Sequence, residues 1–142
     1  GLAARRLEPV LAQRCAISVA RRLGTAADIV AYSKETNRLV LVELKCGYDM
    51  GRTAPAERDG RVCKMQPPLS RATDCNLHRH LLQLCVTRHL FAAERATLAR
   101  VAELGVDPEV DAVLMYANDA GVEFHELGEW WRKRGASVVR RL

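Results

Sequence analysis

The stretch ADIVAYSKETNRLVLVELKCG, residues 27–47, constrains the fold more than any other part of the chain. Two apolar runs rich in Val, Ile and Leu flank a polar turn, the pattern of a β-hairpin with strands over roughly 27–33 and 38–46. Side chains on a strand alternate faces, so Glu43 and Lys45 share one face while Val42 and Leu44 take the other, core-directed one. A turn centred on Glu35–Thr36 pairs Ser33 with Arg38, and the same register sets Asp28 opposite Glu43. Opposed residues hold their Cβ atoms about 4.5–5.5 Å apart, so two carboxylates and a lysine converge on one patch. Like charges so placed cost roughly 0.2–1 kcal/mol on an exposed sheet, and more when desolvated. A divalent cation between Asp28 and Glu43 would offset that cost, and oxygen ligands suit Mg²⁺ or Mn²⁺. Such an ion polarises a phosphoryl oxygen and lowers the pKa of a bound water. Lys45 would orient that water or stabilise charge in the transition state. The chemistry these residues suit is phosphodiester hydrolysis. The plainer alternative is a strand-end Asp beside an exposed Glu and Lys.

The rest of the chain supplies elements around this hairpin. Residues 2–23 carry Leu7, Val10, Leu11 and Ile17 among arginines and read as a helix, with Pro9 in an early turn or at a break. Residues 47–70, rich in Gly, Pro and charge, read as a long loop insertion, either a lid over substrate or a disordered segment. Residues 74–100 are the longest helical candidate, with Thr73 or Asp74 as N-cap and Leu77, Leu81, Leu84, Leu90 and Phe91 facing the core. A second hairpin follows, strands 110–117 and 121–127, then a tail from 129 to 142 that is helical up to Gly135. The order helix, strand, strand, helix, strand, strand, tail is that of one α/β domain spanning residues 1–142 with a mixed sheet.

The net charge of +5 is unevenly spread. Residues 1–24 hold five arginines against one glutamate, and residues 129–142 hold five basic residues against one. Basic ends around a mildly acidic centre suit a polyanion partner with a carboxylate metal site in the middle, or are ordinary solubilising charge. Trp130 and Trp131 beside Arg132, Lys133 and Arg134 could stack bases and neutralise phosphates, or close the core. Five cysteines at irregular spacing argue against a secreted disulfide framework and for an intracellular, reducing compartment. Cys75 and His78, with Cys46 and Cys63, give only an irregular zinc spacing. No apolar run is long enough to span a bilayer, so no membrane partner is expected. The chain opens on Gly rather than Met, which reads as a piece of a larger parent chain.

Asp28 on one strand and Glu43-Leu44-Lys45 on the next resemble the signature of the PD-(D/E)XK nuclease superfamily, with Ala27 where its Pro often stands. The resemblance covers residues 5 to 127 and implies a restriction-endonuclease-like αβββαβ core, a mixed sheet flanked by helices. It further implies that Asp28, Glu43 and the Leu44 carbonyl ligate Mg²⁺ or Mn²⁺ and that Lys45 assists catalysis. RecB-type members add a Glu on the first helix, for which Glu8 is the available acid, and Q-x-x-x-Y on the helix after the E-x-K strand. Here Gln83 matches and Thr87 replaces the Tyr. Asn76, His80, Gln83 and Thr87 also form one polar stripe along the helix, with Gln83 its best candidate for bracing the site. His80 and Thr87, with Arg5, Arg6, Arg132, Lys133 and Arg134, are the candidate nucleic-acid contacts. The expectation is a metal-dependent nuclease acting on DNA, with RNA not excluded and a homodimer or a longer chain as the assembly. The alternative is a binding or assembly module on the same fold.

Overall fold

The computed structural model describes residues 6–18, 23–47 and 50–141. Among them five strands form one mixed sheet and three α-helices pack on it. Strands β1 (Leu7–Ser18), β2 (Leu23–Ser33) and β3 (Arg38–Cys46) form an antiparallel meander. A 3-10 turn (Met50–Thr53) and a small separate hairpin, β4 (Glu57–Arg58) and β5 (Arg61–Val62), lead to α1 (Asn76–Ala92) and α2 (Arg95–Glu103). β6 (Asp107–Asn118) pairs parallel to β3, β7 (Gly121–Glu126) pairs antiparallel to β6, and α3 (Glu129–Val139) follows. The sheet order is β1-β2-β3-β6-β7. No described helix is long and apolar enough to cross a membrane.

The first hairpin has the anticipated register, Ser33 against Arg38 through to Ile29 against Val42. Its turn is held by local polar contacts. The Thr36 amide donates to Ser33 Oγ (3.3 Å), and Tyr32 Oη donates to Asn37 Oδ1 (2.8 Å). Asn37 takes a left-handed φ of +54°, which an Asn tolerates better than most residues.

The helix expected over 2–23 is replaced by β1. Leu7, Val10, Leu11 and Ile17 have helical spacing, but Val10, Leu11 and Ile17 are more than half exposed and bury nothing in common. Backbone pairing with β2 organises this segment instead, from Leu7 against Ser33 to Ser18 against Leu23. Pro9 is admissible because β1 is an edge strand, and the register shifts between Pro9 and Leu11. The described residues therefore contain no helix ahead of the meander.

The helix expected over 74–100 is two helices, broken at Ala93 and Glu94, with Cys75 rather than Thr73 or Asp74 as N-cap. The tail helix runs past Gly135 to Val139. It packs closely on α1, where the Cys85 thiol donates to the Trp131 carbonyl (2.8 Å) and a Cβ at Gly135 would overlap the Cys85 sulfur. Burial pushes that thiol up to about 11, so it stays a neutral packing group. Trp131 is buried against α1, in the core role.

The helices cover the face of β3 that carries Leu41 and Glu43. Leu41 joins Leu81, Leu84, Leu90, Phe91 and Leu114 in the main core. Val40 and Val42 lie on the other face with Leu7, Ala31, Val113 and Met115 in a smaller cluster, and Leu44 packs at its margin. The strand is thus apolar on both faces for most of its length, and Glu43 interrupts the helix-covered one.

Candidate active site

Residues 28, 43 and 45 meet where β2 and β3 run beyond their shared ladder. The last ladder pair is Ile29 with Val42, so Asp28 and Glu43 are the next residues outward on each strand. The Asp28 carboxylate reaches across and accepts a hydrogen bond from the Leu44 amide (2.8 Å). Glu43 is only 2 % exposed. Its Oε1 accepts from Lys45 Nζ (2.6 Å) and from Gln83 Nε2 (2.6 Å), while Gln83 Oε1 accepts from Lys45 Nζ (3.2 Å). Gln83 thereby ties α1 to both charged residues of β3. Glu43 Oε2, equally buried, has no hydrogen-bond partner among the described residues.

Electrostatics explain why this arrangement is incomplete. Burial raises the pKa of Glu43, the Lys45 ammonium pulls it back down, and the neighbouring Asp28 charge raises it again. An ionised carboxylate with one bare oxygen in a dry place is costly unless something positive completes it. Among the described residues no three His, Cys, Asp or Glu side chains gather around a point. Two carboxylates nonetheless suit Mg²⁺, which keeps several waters and commonly takes only one or two protein carboxylates. The orphaned Glu43 Oε2 beside Asp28 therefore fits a hard cation. The irregular Cys/His set does not gather: His78 Nδ1 lies 2.7 Å from the Thr73 carbonyl oxygen, and Cys75 is buried.

Helix α1 runs antiparallel to β3 and β6. Its first half lies near their C-terminal ends, with His80 Nδ1 2.8 Å from Tyr116 Oη. Its second half lies near their starts, with Arg88 Nε donating to the Val110 carbonyl (2.7 Å). This direction brings His80 and Gln83 over Lys45. Burial, then the Lys45 charge, lowers the pKa of His80. Thr87 belongs to the same stripe but is fully buried, bonded to the Gln83 carbonyl (3.0 Å) and to Thr25 Oγ1 (2.9 Å). It is a packing and positioning residue and not a nucleic-acid contact.

Other expected site residues lie elsewhere. Glu8 stands across from Tyr32, four residues along β2 from Asp28, which is about 13 Å at strand rise. It is exposed and ion-pairs with Lys34 (2.6 Å), so the proposal of a ligand from this acid is corrected: the segment is an edge strand, not a helix crossing the site. Arg6 precedes that same remote strand end, and Arg5 lies outside the described residues. Arg132 is committed to the Leu127 carbonyl (2.9 Å) and Asp111 (3.1 Å) near the start of β6, far from a free phosphate-binding role. Lys133 pairs with Glu129 (2.6 Å) on the exposed side of α3, and Arg134 is half-buried on the same helix.

Some neighbours of the site were not anticipated. Tyr116 is the β6 partner of Lys45, and Leu114 is the partner of Glu43. Arg52 stacks over the Tyr116 ring (4.9 Å) and ion-pairs with Glu123, which lies 2.9 Å from His125 Nε2. The Tyr116 and His125 rings meet edge-on at 5.6 Å. Nothing local in the sequence marks them, because the parallel pairing of strands some seventy residues apart brings them together.

Compared with family models, with curated proteins and with solved structures, the chain matches none.

Proposed function

We propose that the chain is a metal-dependent nuclease of the PD-(D/E)XK type, hydrolysing phosphodiester bonds of DNA with Mg²⁺ or Mn²⁺. The observation that carries this reading is Glu43: buried, held at one oxygen by Lys45 and Gln83, without a partner among the described residues at the other, and within the electrostatic influence of Asp28. In support, the three-strand meander, the following helices and the strand parallel to β3 run in the β, β, β, α, β order that such a nuclease core would require. The five free cysteines suit a reducing, intracellular setting.

Asp28, Glu43 Oε2 and the Leu44 carbonyl would hold the cation. When bound, it supplies a Lewis acid for the phosphoryl oxygen and a water of lowered pKa. Gln83 fixes the Glu43 rotamer, so the bare oxygen keeps its direction. Lys45 Nζ has a third proton left after its bonds to Glu43 and Gln83, and donates it to the attacking water or to a phosphate oxygen. Glu43 itself lies buried beneath α1, which strengthens its own bonds to Lys45 and Gln83.

The test is cleavage of labelled single- and double-stranded DNA and RNA with Mg²⁺, Mn²⁺ or EDTA, beside Lys45→Ala. Cutting that needs metal and disappears in the variant is expected. Intact wild-type binding without cutting under any metal would replace this reading with a binding module.

A further inference from the structure

The segment 47–70, expected as a loop, contains a hairpin of defined geometry. β4 and β5 pair Glu57 with Val62 and Arg58 with Arg61. The two turn residues, Asp59 (φ +52°) and Gly60 (φ +70°), are both left-handed. That is a type I′ turn, whose twist matches that of its strands and for which Asp-Gly is a favoured pair. The tip is therefore a stiff two-residue turn. Arg58 and Arg61 are cross-strand partners, so they share one face with Cβ atoms about 4.5–5.5 Å apart. Glu57 and Val62 take the other face. Both arginines are exposed, and neither forms an ion pair with a described residue. Opposed like charges destabilise a hairpin unless something anionic lies across them.

The base of this hairpin is tied by backbone bonds to the segment that leads into α1. The Cys63 amide donates to the Ala56 carbonyl (2.8 Å), the Ala56 amide to the Asp74 carbonyl (2.7 Å), and the Asp74 amide to the Cys63 carbonyl (3.0 Å). Asp74 stands two residues before α1, whose first half lies over the C-terminal ends of β3 and β6. Gln83 is only two turns further along the helix. We infer that the Arg58–Arg61 hairpin is a backbone clamp that grips adjacent phosphates of one strand of duplex DNA as it enters the site. The inference rests on the reading of DNA as substrate. The stiff turn lowers the ordering cost of that grip, and the sorted faces present charge without a base-reading group.

The test is binding of a labelled DNA duplex in EDTA, by fluorescence anisotropy over a series of salt concentrations. Arg58→Ala/Arg61→Ala is compared with Arg95→Ala/Arg100→Ala, which removes the same charge from exposed positions on α2. Two lost phosphate contacts should lower the log–log salt slope by about 1.8 in the hairpin variant. The α2 variant should keep the wild-type slope, and melting curves of both should match wild type. Equal slopes in all three proteins, equal loss in both variants, no duplex binding by the wild type, or tighter binding of an RNA of the same length would each overturn the clamp. EDTA separates this result from the metal site. Binding through the hairpin without cleavage in Mg²⁺ would sink the nuclease and leave the clamp standing, while cleavage with an unaltered slope would do the reverse.

Discussion

Replacing Glu43 by Gln tests the cation site without relying on turnover. The amide is nearly isosteric and can still accept from Lys45. It removes the charge that burial disfavours and that Asp28 repels. In the metal-free protein Glu43 has a raised pKa, so the folded state holds its proton to higher pH than the unfolded chain. Its contribution to stability is then full below the ordinary value of 4.5 and fades as pH rises through the window up to the raised value. At pH 7 in EDTA the wild type carries this penalty and Glu43→Gln does not, so the variant should melt at the same temperature or higher. A cation that binds only the folded state reverses the order. At a hundred times its dissociation constant it adds about 2.7 kcal/mol. For a chain of this size roughly 3 °C accompanies each kcal/mol, so the wild type should gain about 8 °C. Glu43→Gln should gain almost nothing at the same concentration. Thermal melts by circular dichroism, with and without Mg²⁺ or Mn²⁺, read both halves. A variant that keeps the full metal shift, or a wild type with none at saturating metal, would refute the assignment of the bare oxygen.

Further outcomes follow from the surroundings of the site. In an NMR titration His80 should have a midpoint below 6.5, and Lys45→Ala should move it upward, since the ammonium is one of its two lowering influences. An unmoved midpoint would remove Lys45 from its vicinity. Thr87→Val should cost about 1 kcal/mol in urea melts, because it removes the hydroxyl's bonds to the half-buried Thr25 and to the Gln83 carbonyl; unchanged stability would deny those bonds. Gly135→Ala should cost about 1–3 kcal/mol by overpacking, and Cys85→Ala in the same chain should recover part of it. Additive losses in the double variant would place the two helices further apart.

Legibility in the sequence followed the range of the interactions. The β2–β3 register could be read because a turn of four residues sets it, and it brought residues 28, 43 and 45 together. Gln83 could be reached because a helix stripe is also a local property, yet the same stripe mixes a site residue with the buried Thr87. Periodicity failed at β1, where helical spacing of apolar residues coincided with exposure rather than burial. It also could not show that Glu43 faces the helices, since both sides of β3 are apolar. Tyr116, Arg52 and His125 depend on the β3–β6–β7 order, which no local pattern encodes. The Arg58–Arg61 hairpin was legible in principle: Asp59-Gly60 between short charged flanks is a type I′ signal that composition alone concealed.

The edge strand has a consequence for growth of the sheet. An open strand of twelve residues normally offers a row of amides and carbonyls onto which another chain can add. Pro9 withholds an amide, the register shift before Leu11 bends the row, and Gln13 at φ +52° turns the backbone again five residues before the strand ends. No long uninterrupted template remains. Among the described residues no strand pairs with this edge, and a second copy meeting β1 would find the exposed side chains of Val10, Leu11 and Ile17 more readily than a regular ladder.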